Sequence, residues 1–145
     1  MQVRHILYGK GRDVVAIAEG ASIADAARLL TDRRIGALVV RDGDGRLTGI
    51  ISERDLVRAI ARAGAAALTE SVADHMTPEP ETCVETDTVE SLMETMTRGR
   101  FRHVPVLDDR LCLCGMVSIG DVVKSRIAET VSEAAALRDY ISATA

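Results

Sequence analysis

The chain has 145 residues, of which 47% are hydrophobic and 28% charged, an ordinary composition for a globular domain. A net charge of −4 and 2% aromatic residues disfavour nucleic-acid binding, which needs basic groups and stacking rings. The sequence has neither a signal-peptide pattern nor an apolar run near the ~18 residues of a membrane helix, so we expect a cytoplasmic protein without membrane contact.

The first half of the chain contains the patterns of a small mixed unit. In chain order we predict a lead-in segment, a strand, a helix, two strands joined by a turn, and a second helix, at residues 3–7, 14–18, 23–33, 37–40, 47–51 and 52–64. Ser22 followed by Asp25 is typical of a helix N-cap. The Asp-Gly-Asp-Gly run at 42–45 indicates the hairpin turn.

The second half repeats this plan. An offset of 66 residues places Arg34 on Arg100, Ser52 on Ser118 and Asp55 on Asp121. The repeated lead-in, strand, helix, strand pair and final helix fall at residues 72–76, 82–84, 89–98, 104–107, 113–117 and from 118 onward. Thr88 is the expected N-cap, Gly99 the expected helix end, and Pro105 is expected at a strand edge or break.

The repeat predicts an α/β (α+β) fold of two tandem β-α-β-β-α units. We place the first unit at residues 3–64, the second at 70–126, and a C-terminal helical extension at 127–145. Two copies of one supersecondary unit describe the chain better than one irregular domain does.

Each unit carries the same motif where its last strand meets its last helix, at 49–55 and 115–121. The motif is a glycine, two apolar residues, a serine, two further residues and an aspartate. Taken alone, the serine and aspartate are a capping box that satisfies the free amides at a helix start. The same helix start also favours a phosphate, and the aspartate can accept hydrogen bonds from two ribose hydroxyls. Gly49 and Gly115 would then let the backbone approach a ligand closely. Repetition in register favours a ligand site over a cap alone.

With these features the chain resembles a pair of cystathionine β-synthase (CBS) domains, also called a Bateman module. The resemblance rests on the lead-in at 72–77, the Arg-His-Val-Pro-Val segment at 102–106 and the two glycine-to-aspartate motifs. It implies a non-catalytic regulatory or sensor module that binds AMP, ADP, ATP or S-adenosylmethionine in clefts between two copies packed with pseudo-twofold symmetry. It also implies a homodimer, a separate regulated protein as a possible partner, and no required cofactor.

The resemblance also implies which residues bind the ligand. The aspartates Asp55 and Asp121 would hold ribose hydroxyls, and the serines Ser52 and Ser118 would contact ribose or phosphate. Phosphate would be bound by Arg54, Arg102 and His103, with Arg34 and Arg100 flanking the cleft. The adenine slot would be lined by Ile17, Ala37 and Cys83. For Arg34 and Arg100, a charge at a helix C-terminus explains the sequence equally well.

The two copies differ at the basic positions. Gly120 stands where the first copy has Arg54, and Gly36-Ala37 stands where the second has Arg102-His103. Phosphate-binding groups are therefore split between the copies, and we expect one good site and one weak site.

Two other functions stay open. One is a ligand-free interaction scaffold that dimerises through Ala59, Ile60, Ala63, Val123 and Ile127. The other, less favoured, is a metal or thiol stress protein that uses Cys83, Cys112 and Cys114. A metal would need further ligands, and lone cysteines are commonly small hydrophobes. An odd cysteine count indicates a reducing compartment. The sequence shows no nucleophile and neighbouring base of the kind that would predict an enzyme.

Overall fold

The computed structural model describes residues 1–144 as a mixed α+β fold made of two similar halves, as the repeat predicts. Its helices are α1 (Val3–Lys10), α2 (Ile23–Arg33), α3 (Glu53–Ala63), α4 (Val72–His75), α5 (Val89–Gly99) and α6 (Ile119–Thr144), with a 3-10 helix at Gly64–Thr69. Its strands are β1 (Ala16–Ala18), β2 (Ala37–Arg41), β3 (Leu47–Ser52), β4 (Thr77–Pro78), β5 (Cys83–Val84), β6 (His103–Leu107) and β7 (Leu113–Ser118).

Each half has its own small sheet, and the two sheets share one pattern. β1 runs parallel to β2, which pairs antiparallel with β3, and β5, β6 and β7 repeat that arrangement. Ala37 pairs with Ser52 in the first sheet and His103 pairs with Ser118 in the second, in the same register. The first sheet gains a further edge strand, because β4 pairs with β3.

Proline explains why β5 is shorter than β1. Val39 of β2 donates its backbone N–H to the carbonyl of Val15, which extends the contact with the β1 segment. The equivalent residue of the second half is Pro105, which has no N–H to donate. Pro105 lies inside β6, paired with Met116, and not at a strand edge. Pairing of β6 with β5 begins only at the next residue, Val106, so the proline marks a break on that side, the other predicted alternative.

The helix starts follow the predicted caps, and two helices share an unusual C-cap. Asp25 donates its backbone N–H to Ser22 Oγ at 3.0 Å, and Ser91 donates to Thr88 Oγ at 3.1 Å. α5 ends at Gly99, as expected, but Gly99 is its last helical residue and not the left-handed cap. That conformation falls on the equivalent C-caps Arg34 of α2 and Arg100 of α5, whose φ angles are 55° and 57°.

The lead-in helices are exchanged between the halves. Val3, Ile6 and Leu7 of α1 are buried in the core of the second half, while Val72 of α4 is buried in the core of the first. Equivalent hydrogen bonds hold both: the Val3 N–H donates to the Asp87 carbonyl at 2.9 Å and the Val72 N–H to the Ala21 carbonyl at 2.8 Å. The halves are thus related by a pseudo-twofold axis, and each core is completed by a segment from the sequence of the other.

The last helix, α6, continues without a break through residue 127, and its side chains from 130 to 144 are mostly exposed. Within residues 1–144, no helix is both long and apolar enough to cross a membrane.

Candidate functional site: two clefts between the halves

The first cleft lies between the start of α3 and the segment that enters β6. Its cavity is about 260 Å³ and takes residues from both halves. The lining comprises Gly36, Ile50, Ser52, Glu53, Arg54, Asp55, Arg58, Thr77, Arg100, Phe101, Arg102 and His103. The exchange of the lead-ins contributes Thr77, which lies in β4 on the edge of β3.

At the floor of this cleft, Asp55 caps the start of α3. Its Oδ2 accepts the Ser52 backbone N–H at 2.8 Å and the Ser52 hydroxyl at 3.1 Å, so the capping box is formed. The carboxylate is buried, with 9% of the residue exposed, although it lines the cavity. Its Oδ1 faces the Arg58 guanidinium at 3.8 Å. Capping therefore occupies Oδ2 and leaves Oδ1 on the cleft side without a close partner among these contacts.

The walls of the first cleft are basic. Four arginines line it, against the carboxylates of Glu53 and Asp55: they are Arg54, Arg58, Arg100 and Arg102. Guanidinium groups bind phosphate oxygens through charge-assisted hydrogen bonds, often two at a time. The free amides at the start of α3 add a further preference for negative charge. The cleft has the chemistry needed for an anionic ligand with hydroxyl groups.

The second cleft is the pseudo-symmetric counterpart of the first. It measures about 320 Å³ and is lined by Lys10, Asp13, Val14, Val15, Arg34, Ile35, Gly36, Ala37, His103, Met116 and Ser118. Arg34, Met116 and Ser118 stand where Arg100, Ile50 and Ser52 stand in the first cleft. Its cations are Lys10 and Arg34, against the four arginines of its counterpart.

Asp121, the counterpart of Asp55, has a different partner. It accepts the Ser118 backbone N–H at 2.9 Å, as in the first cleft, but Lys10 Nζ also lies 2.6 Å from its Oδ2. Burial acts to raise the pKa of Asp121, but Lys10 and the Ser118 hydrogen bonds outweigh it, so the pKa lies below the ordinary value. Asp121 lines a neighbouring cavity between α1 and α6 rather than the second cleft itself.

His103 separates the two clefts and lines both. Its ring lies against Gly36, where an added Cβ would come within 3.4 Å of ring atoms. Burial, followed by the charge of Lys10, lowers the pKa of His103, which favours the neutral form of the ring.

The structure brings together most of the residues singled out in the sequence. The first cleft gathers Ser52, Arg54, Asp55, Arg100, Arg102 and His103, and the second gathers Arg34, Ala37, Ser118 and again His103. Ile17 and Cys83, expected in an adenine slot, belong instead to the two cores, since each faces inward from a first strand. Burial raises the pKa of the Cys83 thiol to about 12.

Sequence analysis missed Arg58 and Lys10. Arg58 follows Asp55 by one helical turn, a spacing that could have identified it. Lys10 had no local signal, because the exchange of lead-ins carries it to Asp121 from a distant part of the sequence.

Packing against the lead-in segments explains why each motif begins with glycine. A Cβ at Gly49 would lie 2.5 Å from Met76 Sδ and 2.9 Å from the Thr77 carbonyl oxygen. A Cβ at Gly115 would lie 2.8 Å from Leu7 Cδ2. Met76 and Leu7 are equivalent lead-in positions. Both glycines therefore admit the exchanged segment, and neither of them lines either cleft.

The cysteines are dispersed. Cys83 is buried, Cys112 is exposed and Cys114 is half-buried, and all three are free thiols. Among residues 1–144 no group of three or more His, Cys, Asp and Glu side chains is arranged to hold a metal ion.

Comparison with known proteins yields consistent matches. The family model described as "CBS domain" matches residues 3–62 and 72–128. The crystal structure of a CBS-domain containing protein from Agrobacterium tumefaciens is 50% identical, with a TM-score of 0.84, covering 87% of this chain and 99% of that one. A CBS domain protein from Pyrobaculum aerophilum, complexed with AMP, is 31% identical, with a TM-score of 0.75, covering 83% of this chain and 89% of that one.

A curated relative is longer than this chain. The mitochondrial CBS domain-containing protein of Arabidopsis thaliana is 40% identical over 124 residues, which are 83% of this chain and 60% of that protein.

Proposed function

The chain belongs to the CBS domain family, and from this premise we propose that it is a non-catalytic regulatory module that binds an adenosine-containing ligand between its two copies. The main support is the first cleft, where a buried aspartate at a helix start shares the cavity with four arginines, two from each half. The similar Pyrobaculum protein is complexed with AMP, a ligand that has both the hydroxyls and the charge for such a site.

In this proposal each side chain has a role set by its place. Asp55 accepts hydrogen bonds from ribose hydroxyls through Oδ1, since Oδ2 is used by Ser52. Arg54, Arg100 and Arg102 bind phosphate oxygens. Because these groups come from both halves, a bound nucleotide favours one packing of the halves over another. Its occupancy then changes the affinity for a regulated protein by linkage.

A thermal-shift panel tests the ligand proposal. AMP, ADP, ATP and S-adenosylmethionine are each titrated, and a ligand that binds only the folded chain raises the melting midpoint with concentration. We expect at least one nucleotide to do so, and Asp55→Asn to abolish the shift. Asp25→Asn is the matched control, because Asp25 caps α2 in the same way as Asp55 caps α3 but lines neither cleft. Equal shifts in both variants would contradict the role of Asp55.

We further propose a homodimer formed through exposed apolar side chains of α3 and α6. Ile60, Val123 and Ile127 are 47%, 46% and 60% exposed, which makes them available for such a contact. Ala59 does not share that face, since it is 1% exposed and packs inside its own half. A dimer that binds none of the nucleotides would instead favour the interaction scaffold.

A further inference from the structure

The equivalent aspartates of the two clefts have unequal surroundings. Asp55 has Arg58 at 3.8 Å, whereas Asp121 has the Lys10 ammonium at 2.6 Å. Lys10 Nζ also donates to the carbonyl oxygen of Met116 at 2.9 Å, so two acceptors hold it. The second aspartate is already neutralised by a cation of the protein itself.

The difference comes from the lengths of the two lead-in helices. α1 has 8 residues and ends at Lys10, which reaches Asp121 from there. α4 has 4 residues and ends at His75, after which the chain turns into β4 and pairs with β3. The first cleft therefore receives the uncharged Thr77 from its lead-in, and the second cleft receives an ammonium.

The charges of the remaining lining residues differ in the same direction. The first cleft sets four arginines against two carboxylates. In the second, Lys10 is paired with Asp121, and the other charged side chains of the lining are one arginine, Arg34, and one carboxylate, Asp13. An anionic ligand is attracted to the first cleft and has little to gain electrostatically in the second.

We infer that the two clefts differ in kind: the first is the site for a phosphate-bearing nucleotide, and the second is closed to ribose by Lys10, which occupies the carboxylate of Asp121. This inference rests on the proposed function. Lys10 lines both the second cleft and the neighbouring cavity that contains Asp121, so a nucleoside in the second cleft reaches that carboxylate only by displacing Lys10. Since α1 also completes the core of the second half, occupancy of that cleft would disturb the end of a helix that holds the fold together.

The test counts bound ligand by isothermal titration calorimetry, with AMP and adenosine as probes. Wild-type protein should bind one AMP or one adenosine per chain, in the first cleft, and Asp55→Asn should bind neither probe. Adding Lys10→Met to Asp55→Asn should restore one equivalent of adenosine, because Asp121 is released. Adding Asp121→Asn as well should remove that equivalent. Arg12→Met in the Asp55→Asn background is the control, since Arg12 pairs with Glu85 and lines neither cleft; it should bind nothing.

Two results would overturn the inference alone: two equivalents of AMP bound by wild-type protein, or no adenosine bound by the folded Asp55→Asn/Lys10→Met variant. Far-ultraviolet circular dichroism checks that this variant is folded. If it is not, Lys10→Met in the wild-type background must raise the adenosine count from one to two, and a count of one overturns the inference. Failure of the proposed function is separate: neither wild-type protein nor Lys10→Met would then bind AMP or adenosine.

Discussion

At the scale of single residues, small differences decide what a repeated motif does. Ser52 with Asp55 and Ser118 with Asp121 form the same cap, yet Lys10 reaches only the second aspartate. Glycine at the head of each motif is required by packing, because the exchanged lead-in crosses the strand at that point. The motif therefore combines a folding requirement at its glycine with a candidate binding group at its aspartate.

Gly49→Ala should destabilise the chain more than Gly115→Ala. A Cβ at Gly49 would meet the Thr77 backbone carbonyl at 2.9 Å, which moves only with β4, whereas at Gly115 it meets the flexible end of Leu7. We expect a loss of about 1–3 kcal/mol in the free energy of unfolding for Gly49→Ala, the usual cost of overpacking, and a smaller loss for Gly115→Ala. Urea unfolding measures both, and the reverse order would contradict this account.

Arg34 and Arg100 allow strain and binding to be separated. Both have a left-handed backbone conformation, which glycine adopts without strain and which costs other residues about 1–2 kcal/mol. Each Arg→Gly change should therefore raise stability by up to about 1 kcal/mol, after allowance for the flexibility of glycine in the unfolded chain.

Only Arg100→Gly should also weaken AMP binding, because Arg100 lines the first cleft and Arg34 the second. Urea unfolding and calorimetry on both variants provide the comparison. An equal loss of affinity in the two would show that Arg100 has no special contact with the ligand.

At the scale of elements, the exchanged lead-in helices bind the halves to each other. α1 contributes three buried side chains to the second core, and α4 contributes Val72 to the first. An element that looks peripheral in the sequence is thus part of a core.

Leu7→Ala should behave as a core substitution even though Leu7 is close to the start of the chain. Leu7 is 1% exposed, and truncating a buried leucine costs about 2–5 kcal/mol. Tyr8→Ala is the control, because Tyr8 is 69% exposed and its contact with Arg12 contributes less than about 1 kcal/mol. Chemical denaturation measures both. Equal losses would mean that α1 frays from the second half in solution.

Local sequence patterns predicted the helices, strands and turns. They could not predict which segments pack together across the two halves, because that depends on long-range contacts. The caps at Ser22 and Thr88 and the hairpin at 42–45 depend on neighbours in sequence, so they could be predicted. The exchange of α1 and α4, and with it the Lys10 contact, depends on packing between segments far apart in sequence. Ile17 and Cys83 were assigned to a slot because strand position alone does not say which side faces a core.

At the scale of the whole molecule, the exposed apolar faces of α3 and α6 are the surface proposed for the homodimer. Val123→Glu combined with Ile127→Glu should shift the protein from dimer to monomer, because burying two carboxylates in an apolar contact is costly. Sedimentation velocity over a range of concentrations measures the change. Leu111→Glu is the control, since Leu111 is 74% exposed on the β6–β7 turn. An unchanged mass in the double variant would contradict this seam.

The exchange of lead-in helices also constrains synthesis on the ribosome. α1 is translated about a hundred residues before its partners in the second half, among them Val106, Gly115 and Val117. Until then its apolar face has no native place to pack, and the nascent first half lacks Val72 until α4 follows. Contacts so distant in sequence slow folding and prolong the exposure of apolar surface. Changes that increase the apolar surface of α1 should therefore reduce the yield of folded protein in the cell before they alter the mature form.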